Sequence, residues 1–485
     1  MIASENEIDV VVKRAEAGFQ FLQQCNVIER AKLMHTIADE IEAMGTVLIE
    51  TAHLETALPV GRLEGEKART VNQWRMYGDA VRTGLYTEAR IDQNLGGQID
   101  LRKYNGGIGP VLVFGASNFP FAFSTAGGDT ASALGAGCSV IVKAHPAHVR
   151  TSQLMADAIH RGISSYGAPA DIFSHVLSDS LEIGQQLVKH PLVKAVAFTG
   201  SFAGGKALFD LGQSRPDPIP VFAEMGSINP VFVLPDYLKN NVETFAKQYI
   251  GSLTLGQGQF CTNPGVLIGL SGERFDTLKA HLRAEIQTIS AGKMLHQGIA
   301  DHYIRLKNER VECDGVRILA QGKANTEEVF AQAILVEADA ARVLSKPELL
   351  EEVFGPFGLV ISCADRHEMK VLMNSLAGQI SLTFAASEDD MREYQELFTI
   401  AKNKCGRLLF QGMPTGVEVK YAMQHGGPFP ATTDPRFTSV GPDAIKRFIR
   451  PISFQNWPDE FLPKELQDGN PLQIERLVNQ HWTKD

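Results

Sequence analysis

The chain is 485 residues long, 44% hydrophobic and 21% charged, with 46 Lys and Arg against 56 Asp and Glu for a net charge of −10. These proportions exclude a disordered chain and a small disulfide scaffold, and the length predicts two or three domains, each large enough to bury a core. With a pI near 5.8 and no run of five or more Lys or Arg, the chain carries no electrostatic footprint for nucleic acid or an anionic membrane, and charge points to small-molecule substrates.

The first residues lack a basic, apolar leader and read as a helix start, with Ser4 and Glu7 in capping-box spacing. Residues 3 to about 90 keep helical periodicity. Ile99-Asp-Leu-Arg-Lys-Tyr104 alternates like a half-solvated strand and runs into Asn105-Gly106-Gly107, a turn signal. The texture then changes: Val111-Leu-Val-Phe114, Ser139-Val-Ile-Val-Lys143, Phe173-Ser-His-Val-Leu177 and Val193-Lys-Ala-Val-Ala-Phe198 are short β-rich runs, and helical stretches over 151–161 and 181–189 separate them. Strands alternating with helices at this spacing predict an α/β fold with right-handed βαβ units on a parallel sheet. A second α/β segment begins after Gly226, with strands at 230–234, 266–270 and 357–361 and a helix over 241–254, and continues to about residue 420. The tail from Gly426 is rich in Gly and Pro; it is expected to wrap back on the body and to end in a polar helix.

The six cysteines, Cys25, Cys138, Cys261, Cys313, Cys363 and Cys405, are widely spaced with no C-x-x-C, which predicts reduced thiols and a cytoplasmic location. The most apolar window, 108–126, is broken by Gly, Pro and Asn, so no membrane span is predicted.

Three places could carry chemistry. Cys261 lies in Gly256-Gln-Gly-Gln-Phe-Cys-Thr-Asn-Pro-Gly265, a turn that can expose a thiol beside backbone N–H groups able to stabilise an anion. The competing reading is a buried cysteine acting as a small hydrophobe. Glu224 ends the apolar run Val221-Phe-Ala-Glu224, where partial desolvation raises a carboxyl pKa toward the range of a general base; a strand-end Glu facing water is the alternative. The stretch Phe198-Thr-Gly200-Ser-Phe-Ala-Gly-Gly205-Lys206-Ala207 comes close to a P-loop, but Ala207 stands where that motif needs a hydroxyl for Mg²⁺. A helix start behind a glycine turn can still receive a pyrophosphate without metal. His145 and His148 form a lone H-x-x-H broken by Pro146, no H-E-x-x-H or G-x-S-x-G occurs, and no metal site or serine nucleophile is predicted.

Taken together, Phe114-Gly-Ala-Ser-Asn118-Phe-Pro, Val140-Ile-Val-Lys143, Phe198-Thr-Gly-Ser201, Glu224-Met-Gly, Gly256-Gln-Gly-Gln-Phe-Cys261-Thr and Glu351-Glu352-Val-Phe354-Gly-Pro resemble the aldehyde dehydrogenase superfamily in content, order and spacing. The resemblance implies a Rossmann-like dinucleotide-binding domain over 1–225, with 92–107 as a small β oligomerisation arm, then a catalytic domain over 226–425 and a C-terminal segment, 426–485. It makes Cys261 the nucleophile, Glu224 the base that activates water, and the Asn118 amide with the Cys261 backbone N–H the oxyanion site. It places NAD or NADP against Lys143, Phe198, Thr199, Gly200, Ser201, Glu352 and Phe354. Ser227, where most of the superfamily has a second Gly, and His425-Gly-Gly-Pro-Phe-Pro-Ala-Thr432 resemble the branch of α-ketoglutaric semialdehyde (2,5-dioxovalerate) dehydrogenases and NADP-dependent fatty aldehyde dehydrogenases. The first of these is favoured, and its carboxylate substrate asks for a pocket cation, for which Arg436 is the sequence candidate. The fatty aldehyde enzyme, and a catalytically silent binding protein on the same fold, are the alternatives. Pro146 stands where NAD-preferring relatives commonly carry a Glu, and Leu181 where an arginine meets a 2′-phosphate, so both cofactors are expected to be accepted. An exposed edge on the arm strand over 99–104 predicts a homodimer or homotetramer.

Overall fold

A computed structural model describes residues 5–93, 99–325, 327 and 329–485; the cap expected of Ser4 and part of the arm fall outside them. Apolar positions at spacings of three and four fold the opening segment into helices α1 (Glu5–Gln24), α2 (Val27–Glu42), α3 (Thr46–Thr56) and α4 (Val60–Thr83). Asn26 caps α2 through a box with Glu29. The buried stripe of α4 runs through Leu63, Val71, Trp74 and Tyr77 and includes a carboxylate, Glu66.

Strands β1 (Arg90–Asp92) and β2 (Leu101–Gly107) follow. The turn expected at Asn105-Gly106-Gly107 is instead the end of β2, paired residue by residue with the distant tail. Glycine here serves close packing: a Cβ on Gly107 would lie 2.9 Å from the Gly137 carbonyl oxygen.

Five parallel strands come next, β3 (Val111–Phe114), β4 (Val140–Lys143), β5 (Phe173–Val176), β6 (Ala195–Thr199) and β7 (Val221–Glu224), in the order β5-β4-β3-β6-β7. Helices α5 (Gly128–Gly135), α6 (Val149–Tyr166), α7 (Leu181–Lys189) and α8 (Phe202–Gln213) connect them, as the alternation predicts. The strand order reverses at β3, so the carboxyl ends of β3, β4, β6 and β7 open on a crevice of the kind that receives ligands in open α/β sheets. Phe114, Lys143, Thr199 and Glu224 close those four strands.

The second sheet holds β8 (Val231–Val233) and β9 (Val266–Leu270). A short pair, β10 (Gly292–Lys293) with β12 (Phe330–Ala331), lies apart from it; β11 (Arg317–Gln321), β13 (Ile334–Asp339), β14 (Phe357–Cys363), β15 (Gln379–Ala385) and β16 (Cys405–Phe410) complete the sheet in the order β11-β13-β14-β9-β8-β15-β16. Only β11 runs antiparallel to its neighbour.

The tail supplies β17 (Ile449–Gln455), β18 (Arg476–Val478) and β19 (His481–Thr483), and with β1 and β2 it builds a third sheet, β17-β2-β1-β18-β19. No polar helix ends the chain: β1 offers a free edge that β18 takes up in parallel. The same pairing corrects the reasoning from an exposed arm strand, since β2 is flanked on both sides within its own chain. All six cysteines are free, and among the described residues no helix is long and apolar enough to cross a membrane.

Candidate active site

Glu224 reaches the crevice because β7 ends there and the tail locks it in place. Its backbone carbonyl accepts the Gly200 N–H at 3.0 Å, and the Met225 N–H donates to the Ala431 carbonyl at 2.8 Å. The carboxylate is buried, 4% exposed, which removes the reading of a solvated strand end. Ser439 Oγ donates to Glu224 Oε2 at 2.5 Å, and His425 Nε2 lies 3.1 Å from Oε1. Burial, the largest single effect, pushes the Glu224 pKa up; the imidazole of His425 and hydrogen bonds from His425, Ser439 and Cys261 outweigh it and hold the group below 4.5. The rise expected from desolvation alone is therefore reversed by partners that lie 201 and 215 residues away in sequence.

Cys261 sits on a turn built from three consecutive left-handed residues, Gly256, Gln257 and Gly258. Gly258 is required by contact as well, because a Cβ there would meet the Gly355 carbonyl at 2.3 Å. The turn is pinned from below by Asn229, whose Nδ2 donates to the carbonyls of Cys261 at 2.8 Å and Asn263 at 3.0 Å. Asn229 is held in turn by Ser381 Oγ at 2.8 Å and Ser227 Oγ at 3.1 Å. The same Ser227 hydroxyl lies 2.9 Å from Gln379 Oε1 and receives the Ile380 N–H at 3.0 Å. Ser227, noted in the sequence only as unusual, is thus the node that ties the cysteine turn to β15.

Cys261 Sγ lies 3.5 Å from His425 Nε2, and the ligand-type atoms of Glu224, Cys261 and His425 all fall within 4.8 Å of one another. Burial first, then the neighbouring Glu224 carboxylate, push the thiol pKa well above 9.0. The turn alone suggested a stabilised anion; in this arrangement the thiol is protonated and faces two groups able to take the proton. His425 and Ser439 were not singled out as site residues. Their signal was the odd Gly- and Pro-rich stretch after Gln424, which carries a histidine into the crevice.

Asn118 follows β3 and is half-buried. Its Nδ2 donates to the Gln259 carbonyl at 3.1 Å, leaving the second amide hydrogen free to donate, and its own carbonyl accepts from Arg62 Nη2 at 2.7 Å. The guanidinium of Arg62 lies 4.9 Å from the ring centres of both Phe119 and Phe260, and that of Arg69 lies 5.2 Å from Phe123. Arg436 is corrected as the pocket cation: it is 78% exposed and paired with Asp434 at 2.5 Å.

Of the residues expected at the cofactor, Lys143 and Thr199 end β4 and β6, and Phe198, Gly200 and Ser201 lie around the passage from β6 to the start of α8. Lys143 Nζ donates to the Ser178 carbonyl at 2.7 Å. Ser201 caps α8 by accepting the Gly204 N–H at 3.2 Å, and residues 201–203 are exposed at that helix start. The Phe198 ring covers Gly200, where a Cβ would meet it at 2.6 Å. Lys206 is turned away, paired with Asp210 at 2.6 Å. Glu352 and Phe354 share a cavity with Ser227 and Asn263. The Glu352 carboxylate lies where a Cβ on Gly226 would come within 2.4 Å of Oε2, and burial pushes its pKa up to about 7 despite a bond from the Ser227 N–H. A carboxylate with no cation paired to it among the described residues and an exposed helix start fit a ligand bearing hydroxyls and a pyrophosphate.

The sequence profile described as the aldehyde dehydrogenase family matches residues 2–407. Alpha-ketoglutaric semialdehyde dehydrogenase 2 of Azospirillum brasilense is 46% identical over 98% of this chain and 92% of its own. Alpha-ketoglutaric semialdehyde dehydrogenase of Acinetobacter baylyi is 44% identical over 98% and 91%. Among solved structures, the NADP-dependent glyceraldehyde-3-phosphate dehydrogenase of Bacillus halodurans complexed with NADP shares the fold, with a TM-score of 0.78 at 20% identity over 93% of this chain and 91% of that one.

Proposed function

The chain belongs to the aldehyde dehydrogenase family, and we propose that its aldehyde is α-ketoglutaric semialdehyde (2,5-dioxovalerate), oxidised to 2-oxoglutarate with NAD or NADP. The observation that carries the substrate is that two relatives of that name align with nearly the whole chain.

In this reading Cys261 Sγ bonds to the aldehyde carbon while its proton passes to the Glu224 and His425 pair, within reach at 3.5 Å from the imidazole, and from there to solvent, which leaves Glu224 ionised for the hydrolytic step. The free N–H of the Asn118 amide and the Cys261 backbone N–H receive the negative oxygen that forms; loss of one such donor costs about 2.7–4 kcal/mol. NAD or NADP supplies the hydride acceptor when bound, and Lys143, Phe198, Thr199, Gly200, Ser201, Glu352 and Phe354 are the residues that hold it. Glu224 then takes a proton from the water that attacks the Cys261 thioester, a contribution of roughly 10²–10⁴-fold. The acid departs and the thiol is restored with that proton. Residues 1–225 serve the dinucleotide, 226–425 carry the thiol and 426–485 pack back against both. Pro146 and Leu181 put no charge beside the adenine ribose, so both cofactors are used. The free thiols accord with a cytoplasmic enzyme, and a homodimer or homotetramer forms at the arm, where β17 and β19 are the outer strands and Trp457 and Trp482 are exposed.

The test is the rate of reduced nicotinamide formation with 2,5-dioxovalerate and with decanal, each with NAD and NADP, against Cys261→Ala. Preference for the semialdehyde, lost in Cys261→Ala, is expected; preference for decanal refutes the substrate, and equal rates in the variant refute the nucleophile. A kcat/KM ratio between the cofactors above about a hundredfold, roughly 2.7 kcal/mol, refutes dual use.

A further inference from the structure

Two arginines of α4, Arg62 and Arg69, stand seven residues apart and therefore on one face of the helix, two turns from each other. Each has a buried Nη1 with no hydrogen-bond partner, and among the described residues neither forms an ion pair. Arg62 Nη2 is held by the Asn118 carbonyl at 2.7 Å and Arg69 Nη2 by the Val417 carbonyl at 3.5 Å. Of the three rings on which they lie, Phe119 follows Asn118 and Phe260 precedes Cys261 in sequence, and Phe123 lies five residues past Asn118. Arg69 is within electrostatic reach of the Cys261 thiol.

Buried guanidinium hydrogens without acceptors are costly, and a cation kept in that state is poised for an anion that arrives from outside. The one enclosed carboxylate on the same stripe is Glu66. Its Oε1 is committed to the Phe121 and Ala122 N–H groups at 2.8 and 3.0 Å, and its Oε2 has no donor. Burial pushes the Glu66 carboxyl up, and of the two guanidinium groups only Arg69 also feels a second carboxylate, Glu418, so neither is matched by an ion pair of its own. Arg407, the other arginine near the thiol, has both terminal nitrogens on the carbonyls of Pro414 and Gly416 and is bound to its own loop.

We propose that Arg62 and Arg69 are the carboxylate clamp of the substrate pocket, taking the 2-oxo-carboxylate end of a semialdehyde whose other end lies at Cys261. This rests on the reading of Cys261 as nucleophile and of a semialdehyde acid as substrate. Four carbon–carbon bonds separate the aldehyde carbon of 2,5-dioxovalerate from its carboxyl carbon, roughly 5 Å in extended form at about 1.5 Å per bond, and this is the span that the clamp asks the substrate to bridge from the thiol to the arginines. The aromatic rings clasp the carbon chain and hold the guanidinium planes, and the planar forks suit a carboxylate. The Arg62 bond to the Asn118 carbonyl also ties the clamp to the proposed oxyanion amide, so an acid seated in it meets an ordered site.

The experiment compares kcat/KM for 2,5-dioxovalerate and for pentanal, which has the same length and no charge, in wild type, Arg62→Met and Arg69→Met, with Arg62→Lys and Arg69→Lys as charge-keeping partners. The acid-over-pentanal ratio is expected to fall roughly tenfold to a hundredfold in each Met variant, mainly through KM, and to recover in part in the Lys variants. A ratio within about threefold of wild type in both Met variants overturns the clamp. A second readout needs no turnover: alkylation of Cys261 by anionic iodoacetate relative to neutral iodoacetamide. That rate ratio is expected to drop in both Met variants, and an unchanged ratio overturns the clamp. If wild type prefers pentanal or decanal to the acid, the substrate reading falls by itself, and the alkylation ratio alone decides whether the two arginines form an anion site.

Discussion

Glu352 gives the sharpest quantitative consequence. Its carboxyl ionises near 7 in the fold against an ordinary 4.5, and that gap, at about 1.36 kcal/mol per pH unit, amounts to about 3 kcal/mol. The residue is half-buried, and solvent screening trims the effect to about 1–3 kcal/mol. Between pH 4.5 and about 7 the native state binds a proton that the unfolded chain has already released, so this group's share of stability is whole below pH 4.5, falls as pH rises and is gone above 7. Glu352→Gln keeps an acceptor for the Ser227 N–H and removes the charge. The variant's melting temperature, measured against wild type without cofactor, is expected to gain a few degrees between pH 5 and pH 8. Ribose hydroxyls that donate to the ionised carboxylate favour that form, so NAD or NADP is expected to bind wild type more tightly as pH rises through 7, and Glu352→Gln with no such trend. Profiles of wild type and Glu352→Gln that run parallel from pH 5 to 8 in both measurements would refute the reasoning, because they would place the carboxylate in ordinary solvent.

Three other outcomes follow from the same geometry. Ser227→Gly strips the hydroxyl that contacts Gln379, Asn229 and the Ile380 N–H and is expected to destabilise the protein by about 1–3 kcal/mol, read as a lower urea midpoint; an unchanged midpoint removes Ser227 as the node of the cysteine turn. His425→Asn leaves Cys261 and Glu224 without the imidazole between them and is expected to lower kcat by roughly 10²-fold or more, with slower iodoacetamide labelling of Cys261; normal labelling would show that Glu224 alone takes the thiol proton. Zn²⁺ added to the protein is expected to inhibit it through Cys261, Glu224 and His425, a thiolate, carboxylate and imidazole set suited to that ion. EDTA reverses the inhibition and His425→Asn weakens it; equal sensitivity of the variant points to zinc binding elsewhere.

The parts of the site legible in the sequence are those that the backbone itself marks. Cys261 follows Gly256-Gln-Gly because three left-handed residues must precede it, and Glu224 ends an apolar run because β7 ends there. Periodicity recovered the parallel strands for the same local reason, alternation of buried segments with helices. It failed where long-range pairing overrules local preference: Asn105-Gly106-Gly107 has turn chemistry, yet β17, more than 340 residues away, draws it into a sheet.

The same division explains which functional side chains stayed hidden. His425 is separated from Cys261 by 164 residues, and no spacing rule relates a histidine in a Gly- and Pro-rich tail to a distant thiol. Arg62 and Arg69 look in the sequence like the solvated charges of an amphipathic helix. The clue lay beside them: Glu66 falls on the apolar stripe with Leu63 and Thr70, and a carboxylate on a core-facing stripe needs donors. It finds them in the Phe121 and Ala122 N–H groups, just past Asn118, and so fixes α4 against the loop that carries Asn118. With α4 fixed there, Arg62 lies against Phe119 and Phe260 and Arg69 against Phe123. In the proposed clamp, charge placed by a buried acid, rather than charge read from composition, is what would turn a general aldehyde site into one that selects an anionic aldehyde.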